Sequence, residues 1–377
     1  MLGARRSENR YHKTFLATMK SLPATAPSAF NLERLGNPKK ALEVFSMLST
    51  DSLDSQNSAG DFRNAIRDLS GMDQATASRR LLTALLNLSS CDVEIVEIGQ
   101  TPLHLLRSDG TRARFRIHPQ GMEIDAASGL LYITAVEMIN ERDVARRYPG
   151  TGRAHLFECN IEGRTVRSVT LTSDHETEYH PSGMVLIDGT MFIALAQYLP
   201  ESSATIIKFN VKDWSYEKLF RIQDHVGLVV PNLHDGELLL GNWGSRDYYC
   251  TDLLGNIKSK RQTPCRDNME HQDAQLIRCA DGRGGMILAT GVTAVDMQYF
   301  GLDVIDIANW TIKTSLRWPS APYMTKGGWA PFTNPTFLWV DSHDRLLALA
   351  TPDDDHEQSG KDATLVLYML KQLSGPF

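Results

Sequence analysis

Four histidines stand at the start of similar stretches of this 377-residue sequence, and imidazole is well suited to acid–base chemistry at neutral pH. Residues 118–122 read His-Pro-Gln-Gly-Met, and residues 180–184 read His-Pro-Ser-Gly-Met. Weaker copies of this stretch begin at His225, His271 and Asn334. Imidazoles donate or accept protons, and several that converge can bind a transition metal. The chemistry therefore depends on whether the fold brings these residues together.

The spacing of the copies predicts a β-propeller. The five starts are 62, 45, 46 and 63 residues apart, and a propeller blade with its loops takes roughly 40 to 50 residues. From Asp92 onward apolar and polar residues alternate with a period of two, which is typical of strands. We predict an all-β, five-bladed propeller. Six blades are the alternative, and they require residues 99–117 to hold most of a further blade.

The chain divides near residue 91 into two regions of different periodicity. Residues 1–91 carry apolar residues at helical spacing, with starts near Pro38, Asp61 and Asp73, and we expect a helical extension packed on the propeller. Residues 92–377 form the predicted propeller. Its last repeat supplies only three strands, so we expect Val93–Ile98 to provide the fourth and close the ring.

Composition excludes several classes of protein. The net charge of −6 argues against nucleic-acid binding. No apolar run reaches the 18 or so residues of a membrane-spanning helix, and five cysteines without a C-x-x-C pair argue against a disulfide scaffold. We expect a cytoplasmic protein with a small-molecule substrate and no nucleic-acid or membrane partner. The N-terminal helices are the place where a homodimer would form.

The predicted propeller turns the repeat positions into a site. The first strand of each blade lines the central channel, so the residues that start these strands should converge at its mouth. We interpret His118, His180 and His225 as proton donors or acceptors, and Arg246 as a donor to an anionic or enolate oxygen. Polar or aromatic residues near the same mouth are the candidates for substrate binding: Glu137, Gln197, Trp243, Tyr248, His271, Gln272, Asp273, Trp329 and Phe332.

Two other interpretations of the histidines stay open. As metal ligands, His118, His180, His225 and His271 would hold a divalent transition metal, an arrangement that resembles the iron site of carotenoid cleavage oxygenases in its ligands only. Alternatively, His-Pro is simply suited to the start of a strand, and each ring bonds to a neighbouring backbone. The acidic run Asp353–Asp355 lacks the spacing of a calcium loop, so we expect a solvated turn there.

The order of these motifs resembles a propeller-like family of unknown function over residues 92–371. The resemblance is carried, in this order, by the motifs His118–Gly121, Gly152–Phe157, Tyr179–Gly183, Asp224–Gly227, Trp243–Arg246 and Gln272–Asp273. His271 stands where a Tyr is expected in that family's fourth repeat. The chain is more distantly similar to hetero-Diels–Alderases that join a tropolone quinone methide to humulene.

The more distant resemblance implies a small-molecule enzyme of secondary metabolism. Such an enzyme is a cyclase or pericyclase that needs no cofactor and acts on an apolar or aromatic substrate in the channel pocket. The alternatives are a metal-dependent hydrolase or oxygenase that uses the histidines as ligands, and a propeller that binds a ligand or a protein without catalysis.

Overall fold

The computed structural model describes residue 64, residues 72–88 and residues 93–372, apart from residues 266, 268, 279–284, 294–296, 326–327, 334 and 357–360. The helices predicted to start near Pro38 and Asp61 lie outside the described residues, and so does Asn334. Among the described residues, no helix is long and apolar enough to cross a membrane.

The strands form five antiparallel sheets arranged in a ring, which confirms the predicted five-bladed propeller. Residues 99–117 hold the end of one strand and a connecting segment, so the alternative count of six blades is wrong.

The first ten strands are β1 (Val93–Leu103), β2 (Ile117–Asp125), β3 (Leu130–Asn140), β4 (Thr151–Cys159), β5 (Thr165–Thr170), β6 (Glu178–Pro181), β7 (Val185–Ile187), β8 (Thr190–Gln197), β9 (Ala204–Asn210) and β10 (Ser215–Ile222). The remaining strands are β11 (Val226–Asn232), β12 (Glu237–Asn242), β13 (Asp247–Thr251), β14 (Ile257–Gln262), β15 (Met269–Arg278), β16 (Gly285–Thr293), β17 (Tyr299–Asp306), β18 (Thr311–Pro319), β19 (Thr336–Val340), β20 (Leu346–Asp353) and β21 (Ala363–Gln372).

Four blades are continuous in sequence and the fifth is not. Blades 1 to 4 comprise β2–β5, β6–β10, β11–β14 and β15–β18. In blade 5 the order from the centre outward is β19, β20, β21 and β1. The antiparallel pairing of β1 with β21 runs from Val93 opposite Gln372 to Leu103 opposite Ala363. This pairing joins the two ends of the propeller by backbone hydrogen bonds, and it covers the edge that β21 would otherwise expose.

Helix α1 (Gln74–Leu86) precedes the first strand and packs on the propeller. Asp73 caps it by accepting a hydrogen bond from the Thr76 amide at 3.0 Å. Its apolar face buries Leu81 and Leu85 in a cluster that includes residues of β1, β17 and β20. On the exposed side, Arg80 donates to the Asp341 carbonyl at 2.6 Å.

The inner strands of all five blades meet on the axis. A Cβ at Gly121 would lie 2.8 Å from Gly183 Cα, and the Gly183 amide donates to the Gly227 carbonyl at 3.0 Å. Asp273 is fully buried beside them, where its Oδ2 accepts from the amides of Met122 and Thr336, both at 3.2 Å. Backbone and one carboxyl group therefore fill the axis at this level, and glycine is required where the strands touch.

Candidate functional site

The residues that start the inner strands occupy equivalent positions in four blades. His118 pairs with Val136, His180 with Ala196 and Glu270 with Val292, while His225 directly precedes β11. The pairing of β2 shifts between Pro119 and Gly121, and that of β15 shifts in the same way between His271 and Asp273. Glu270, not His271, is therefore the equivalent of His118.

The prediction that His271 joins the ring is wrong, because the sequence copies were aligned one residue out of register. Successive side chains of a strand point to opposite faces, so a shift of one residue moves a side chain to the other face. His271 is fully buried, with Nδ1 at 2.9 Å from the Tyr248 hydroxyl and Nε2 at 2.8 Å from Asp303 Oδ2. Tyr248 is completely buried at this contact as well, so it does not line the axial mouth either.

Four rings from blades 2 and 3 lie together above the filled part of the axis, and a guanidinium from blade 1 joins them. The His180 ring stacks on Tyr198, with centroids 4.1 Å apart, and lies 5.5 Å from the His225 ring. The His225 ring meets Trp243 edge-on at 4.7 Å. The Arg142 guanidinium lies 4.0 Å from the Tyr198 ring centroid and 5.0 Å from that of Trp243. We call Arg142, His180, Tyr198, His225 and Trp243, together with His118, the axial cluster.

Connections that follow the second strand of a blade carry three side chains of the axial cluster. Tyr198 follows β8 as Trp243 follows β12, so both aromatic rings come from the end of a second strand. Arg142 belongs to the connection after β3. Since equivalent positions of adjacent blades lie side by side at the same face, these three connections meet over the histidines.

His118 differs from the other two histidines because it contacts a carboxylate. Its Nδ1 faces Asp354 Oδ1, and Arg116 binds the other oxygen of the same group. Although burial opposes ionisation, His118 and Arg116 lower the pKa of Asp354, so the group is a carboxylate and His118 Nδ1 is the donor. The Trp329 ring lies 6.0 Å from the His118 ring. The expectation of a solvated turn at Asp353–Asp355 is therefore wrong, because only 10% of the Asp354 side chain is accessible and Asp355 is buried.

Burial keeps His180 and His225 neutral. It lowers the pKa of His225 to about 4, against the opposing effect of its bond to Gln197. Burial also lowers the pKa of His180 well below its ordinary value, and the neighbouring His225, His118 and Arg142 add to the effect. His225 Nδ1 donates to the Gln197 carbonyl at 2.7 Å, which leaves Nε2 with its lone pair. The Nδ1 of His180 is buried and has no hydrogen-bond partner among the described residues.

Three further predicted residues lie at the rim of the axial mouth. Arg246 pairs with Glu270 at 3.4 Å and remains about one third exposed, with 37% of its side chain accessible. Gln197 uses its carbonyl for His225, and its side-chain amide donates to the Thr177 hydroxyl at 3.2 Å. Gln272 is half-buried at the irregular position of β15.

Three other residues that were predicted to bind substrate lie buried in the interior, away from the axial mouth. Phe332 is fully buried in the core, in edge contact with Phe300 at 5.5 Å. Glu137 is fully buried in a separate cluster in which Arg107, Arg153 and His155 all bind its carboxylate. Asp273 fills the axis below the histidines. None of the three is placed to bind a ligand at the mouth, so these assignments are corrected.

The four-histidine metal site does not form, because His271 lies elsewhere. Four residues at the site were not predicted from the sequence: Arg142, Tyr198, Arg116 and Asp354. Only Tyr198 had a usable signal, since it stands one residue after Gln197 as Trp243 stands one residue after Asn242. Arg142 and Asp354 belong to connections whose sequences are not repeated from blade to blade. A comparison of the repeats within the chain therefore cannot find these two residues.

One protein family has a sequence model that matches most of this chain. The match covers residues 113–371, and the family is described as a family of unknown function, DUF6454. No curated protein matches the chain.

Solved structures with a similar fold share little sequence with this chain. The tail fiber of Staphylococcus aureus phage P68 is 10% identical with a TM-score of 0.43, and the match covers 78% of this chain but only 56% of the fiber. A GH43 β-xylosidase/α-arabinofuranosidase from a compost microbial metagenome is 12% identical with a TM-score of 0.42, over 74% of this chain and 96% of the enzyme. MPT-4, a mannose phosphorylase from Leishmania mexicana, is 10% identical with a TM-score of 0.44, over 75% and 94%. At these values the likenesses carry no argument about function.

Proposed function

The chain belongs to the DUF6454 family of unknown function, and from this premise we propose that the axial cluster is the active site of a small-molecule enzyme of secondary metabolism. The proposed reaction is a cyclisation of the hetero-Diels–Alder type on a flat, conjugated substrate that carries a reactive oxygen. It needs acid–base groups, an aromatic surface and a donor to the oxygen, and no cofactor takes part.

The observation that carries this proposal is the state of His180. A buried imidazole nitrogen without a partner costs free energy, on the order of 1–3 kcal/mol, unless a ligand satisfies it. The ring is only 6% exposed, and it is held between Tyr198 and His225. A substrate hydroxyl or oxyanion that binds here would supply the missing hydrogen bond.

The surroundings of His180 favour a planar substrate with an electron-rich oxygen. Arg142 and the half-exposed Arg246 bring two guanidinium groups to the mouth, and a guanidinium donates strong hydrogen bonds to anionic oxygen. The Trp243 ring lies beside Tyr198 and offers an apolar face on which a conjugated system can stack. Two neutral imidazoles can accept a proton, because an uncharged ring nitrogen keeps its lone pair.

The proposed chemistry is balanced without any co-reactant. His180 or His225 accepts the proton of an enol while a hydroxyl leaves as water with a proton from His118, which yields the conjugated heterodiene. The heterodiene then adds to an alkene, forming one C–C and one C–O bond as three π bonds become one. An arginine donor at the heterodiene oxygen stabilises the charge that develops there. Holding the two reactants together can lower the barrier by up to roughly 7–11 kcal/mol.

The experiment compares His180→Ala with His234→Ala in cells and in solution. His234 is an exposed histidine in the turn after β11, with 60% of its side chain accessible, and its Nδ1 lies 2.6 Å from Asp235 Oδ1. We expect His180→Ala to abolish the product in the metabolite profile of the producing organism and His234→Ala to leave it unchanged. Purified protein is assayed in parallel with a tropolone quinone-methide precursor and humulene for the rate and stereochemistry of the adduct.

Different outcomes separate the alternatives. If folded His180→Ala restores the full metabolite profile, catalysis at the axial cluster is excluded. If wild-type protein binds the precursor, His180→Ala abolishes that binding and no product is formed, the propeller is a binding protein. If activity requires a metal that wild type binds and His118→Ala and His180→Ala both lose, the histidines are ligands and the cofactor-free reaction is wrong.

A further inference from the structure

A second cluster of reactive side chains lies off the axis, between blades 3 and 4. Cys265, His271 and Asp303 offer a thiol, an imidazole and a carboxylate whose ligand atoms all lie within 4.8 Å of one another. Within the described part of the chain, this is the one group of three or more His, Cys, Asp or Glu side chains that meets this limit. Neither Cys265 nor Asp303 belongs to the axial cluster.

Hydrogen bonds hold the three ligand atoms together, and a metal ion could replace the protons in these bonds. Asp303 Oδ2 accepts from His271 Nε2 at 2.8 Å and from the Cys265 thiol at 3.1 Å. On the far side of the imidazole, Nδ1 lies 2.9 Å from the Tyr248 hydroxyl. That hydroxyl can accept a hydrogen bond from Nδ1–H, and in this tautomer the Nε2 lone pair is free for a metal.

We propose that Cys265, His271 and Asp303 form a zinc-binding site. Thiolate, imidazole and carboxylate are the three ligand types that zinc takes from proteins, and three such ligands with one open position are typical of a catalytic zinc. Tyr248 would orient His271 from the second coordination sphere, as hydrogen-bond partners of metal-bound histidines commonly do.

The charges around the cluster balance when zinc is bound. Zn²⁺ together with the Cys265 thiolate and the Asp303 carboxylate gives zero net charge. Arg317 binds Asp303 with distances of 2.8 and 2.9 Å, and it also pairs with Asp267 at 2.5 Å, so a second carboxylate offsets its charge. Ser315 donates to the other oxygen of Asp303 at 2.5 Å. Arg317 and Ser315 therefore fix the carboxylate with Oδ2 turned toward Cys265 and His271, and Arg317 Nη2 also contacts Oδ2 at 2.9 Å and Cys265 Sγ at 3.4 Å.

A cavity of about 620 Å³ opens onto this cluster. Its walls include Cys265, Asp267, Trp310, Ser315 and Arg317. A fourth ligand, water or a small polar molecule, could reach the metal from this side, and Arg317 would meet an anionic group beside it. The cavity explains how an ion would enter, because His271 and Asp303 themselves are fully buried.

Cobalt binding tests this site in the full-length, reduced protein. Co²⁺ replaces Zn²⁺ in tetrahedral sites and gives a thiolate-to-cobalt charge-transfer band only when a cysteine is a ligand. We expect one equivalent of Co²⁺ to bind with that band, and one equivalent of Zn²⁺ to displace it. Cys265→Ser should weaken Co²⁺ binding by more than about 100-fold and remove the band.

Cys250→Ser is the matched control, because Cys250 also donates to a carboxylate, Glu237 at 2.6 Å, in blade 3. This variant should keep the band and the affinity. Thermal unfolding without metal checks that Cys265→Ser is folded, and Cys265→Ala serves if it is not. The proposal is overturned if wild type binds no Co²⁺, if Cys265→Ser binds it equally well, or if His118→Ala loses the band. The first two results say nothing against the axial cluster, so the two proposals can fail separately.

Discussion

His118, His180 and His225 share a position in the repeat but have different partners, and this difference gives each a separate chemical property. Asp354 accepts from His118, a backbone carbonyl accepts from His225, and His180 Nδ1 has no partner among the described residues. A carboxylate partner can stabilise a protonated imidazole, whereas burial without such a partner favours the neutral ring. The axial cluster therefore combines a carboxylate-bound imidazole with two bases in one small volume.

The low pKa of His225 predicts a pH-dependent stability. In the unfolded chain a histidine takes up its proton near pH 6.5, whereas His225 in the folded protein does so at about 4. Between these values the unfolded chain binds more protons, so the free energy of unfolding falls as the pH falls, by about 3 kcal/mol in total. Above pH 6.5 both states are neutral and the histidine has no effect.

The measurement is the urea midpoint at several pH values for wild type and His225→Gln. A glutamine amide can donate to the Gln197 carbonyl without titrating. We expect the two proteins to differ in slope between roughly pH 6.5 and 4, with wild type losing more stability in acid. Equal slopes in the two proteins would mean that His225 has an ordinary pKa. Comparing the two curves cancels the contribution of the buried carboxylates, which also destabilise the fold in acid.

At the scale of the strand, the axial glycines determine how closely the blades approach. A Cβ at Gly183 would lie 2.6 Å from Asp273 Oδ1, which is closer than real side chains allow. The neighbouring Gly227 has more room, because a Cβ there would find its nearest atom at 3.7 Å. These two glycines of the inner strands therefore differ in the substitutions that they can tolerate, because the atoms around them are packed to different distances.

Gly183→Ala should therefore destabilise the propeller, and Gly227→Ala should not. Forcing one extra methyl group into a packed interior costs about 1–3 kcal/mol. An alanine that makes only ordinary van der Waals contacts, as at Gly227, can stabilise the protein by restricting the unfolded chain. Chemical denaturation of both variants measures the difference. A Gly183→Ala protein as stable as wild type would show that the inner strands are not tightly packed on the axis.

The sequence predicted the elements better than it predicted their register. The five repeat starts were sufficient for five blades, and a glycine that the axis requires marks the two clearest copies, at His118 and His180. The fourth copy was misplaced because Asp273 replaces that glycine, so that His271 became the obvious residue to align. The irregular strand pairing at Gln272 shows that Glu270 is the equivalent of His118, and no local sequence pattern predicts this irregularity. Contacts made by non-repeating connections, such as that of Arg142, could not be predicted for the same reason.

At the scale of the whole molecule, closure of the ring depends on the pairing of β1 with β21. Ile95 of β1 is 5% exposed and belongs to the same apolar cluster as Leu81 and Leu85 of α1. The next residue before it, Glu94, is exposed on the opposite face of the strand. The strand thus presents one face to the core and one to solvent, while its backbone covers the edge of β21.

Ile95→Lys should open the ring, and Glu94→Lys should leave it closed. Burying an unpaired ammonium group costs several kcal/mol, which is enough to release β1 and expose an apolar strand edge. We expect a lower unfolding temperature and self-association of Ile95→Lys in light scattering, with neither change in Glu94→Lys. If both variants behave like wild type, β1 contributes little to closure.

Because blade 5 is built from two segments that are far apart in sequence, β1 must wait for its partner strand during translation. About 260 residues separate the end of β1 from the start of β21, so at roughly 5–20 residues per second the ribosome needs roughly 15–50 s to deliver the partner strand. During that time β1, the first of the described strands, has an unfilled backbone edge beside Val93 and Ile95. Co-translational aggregation should therefore begin at this strand. A chaperone that binds this strand first would prevent aggregation most effectively.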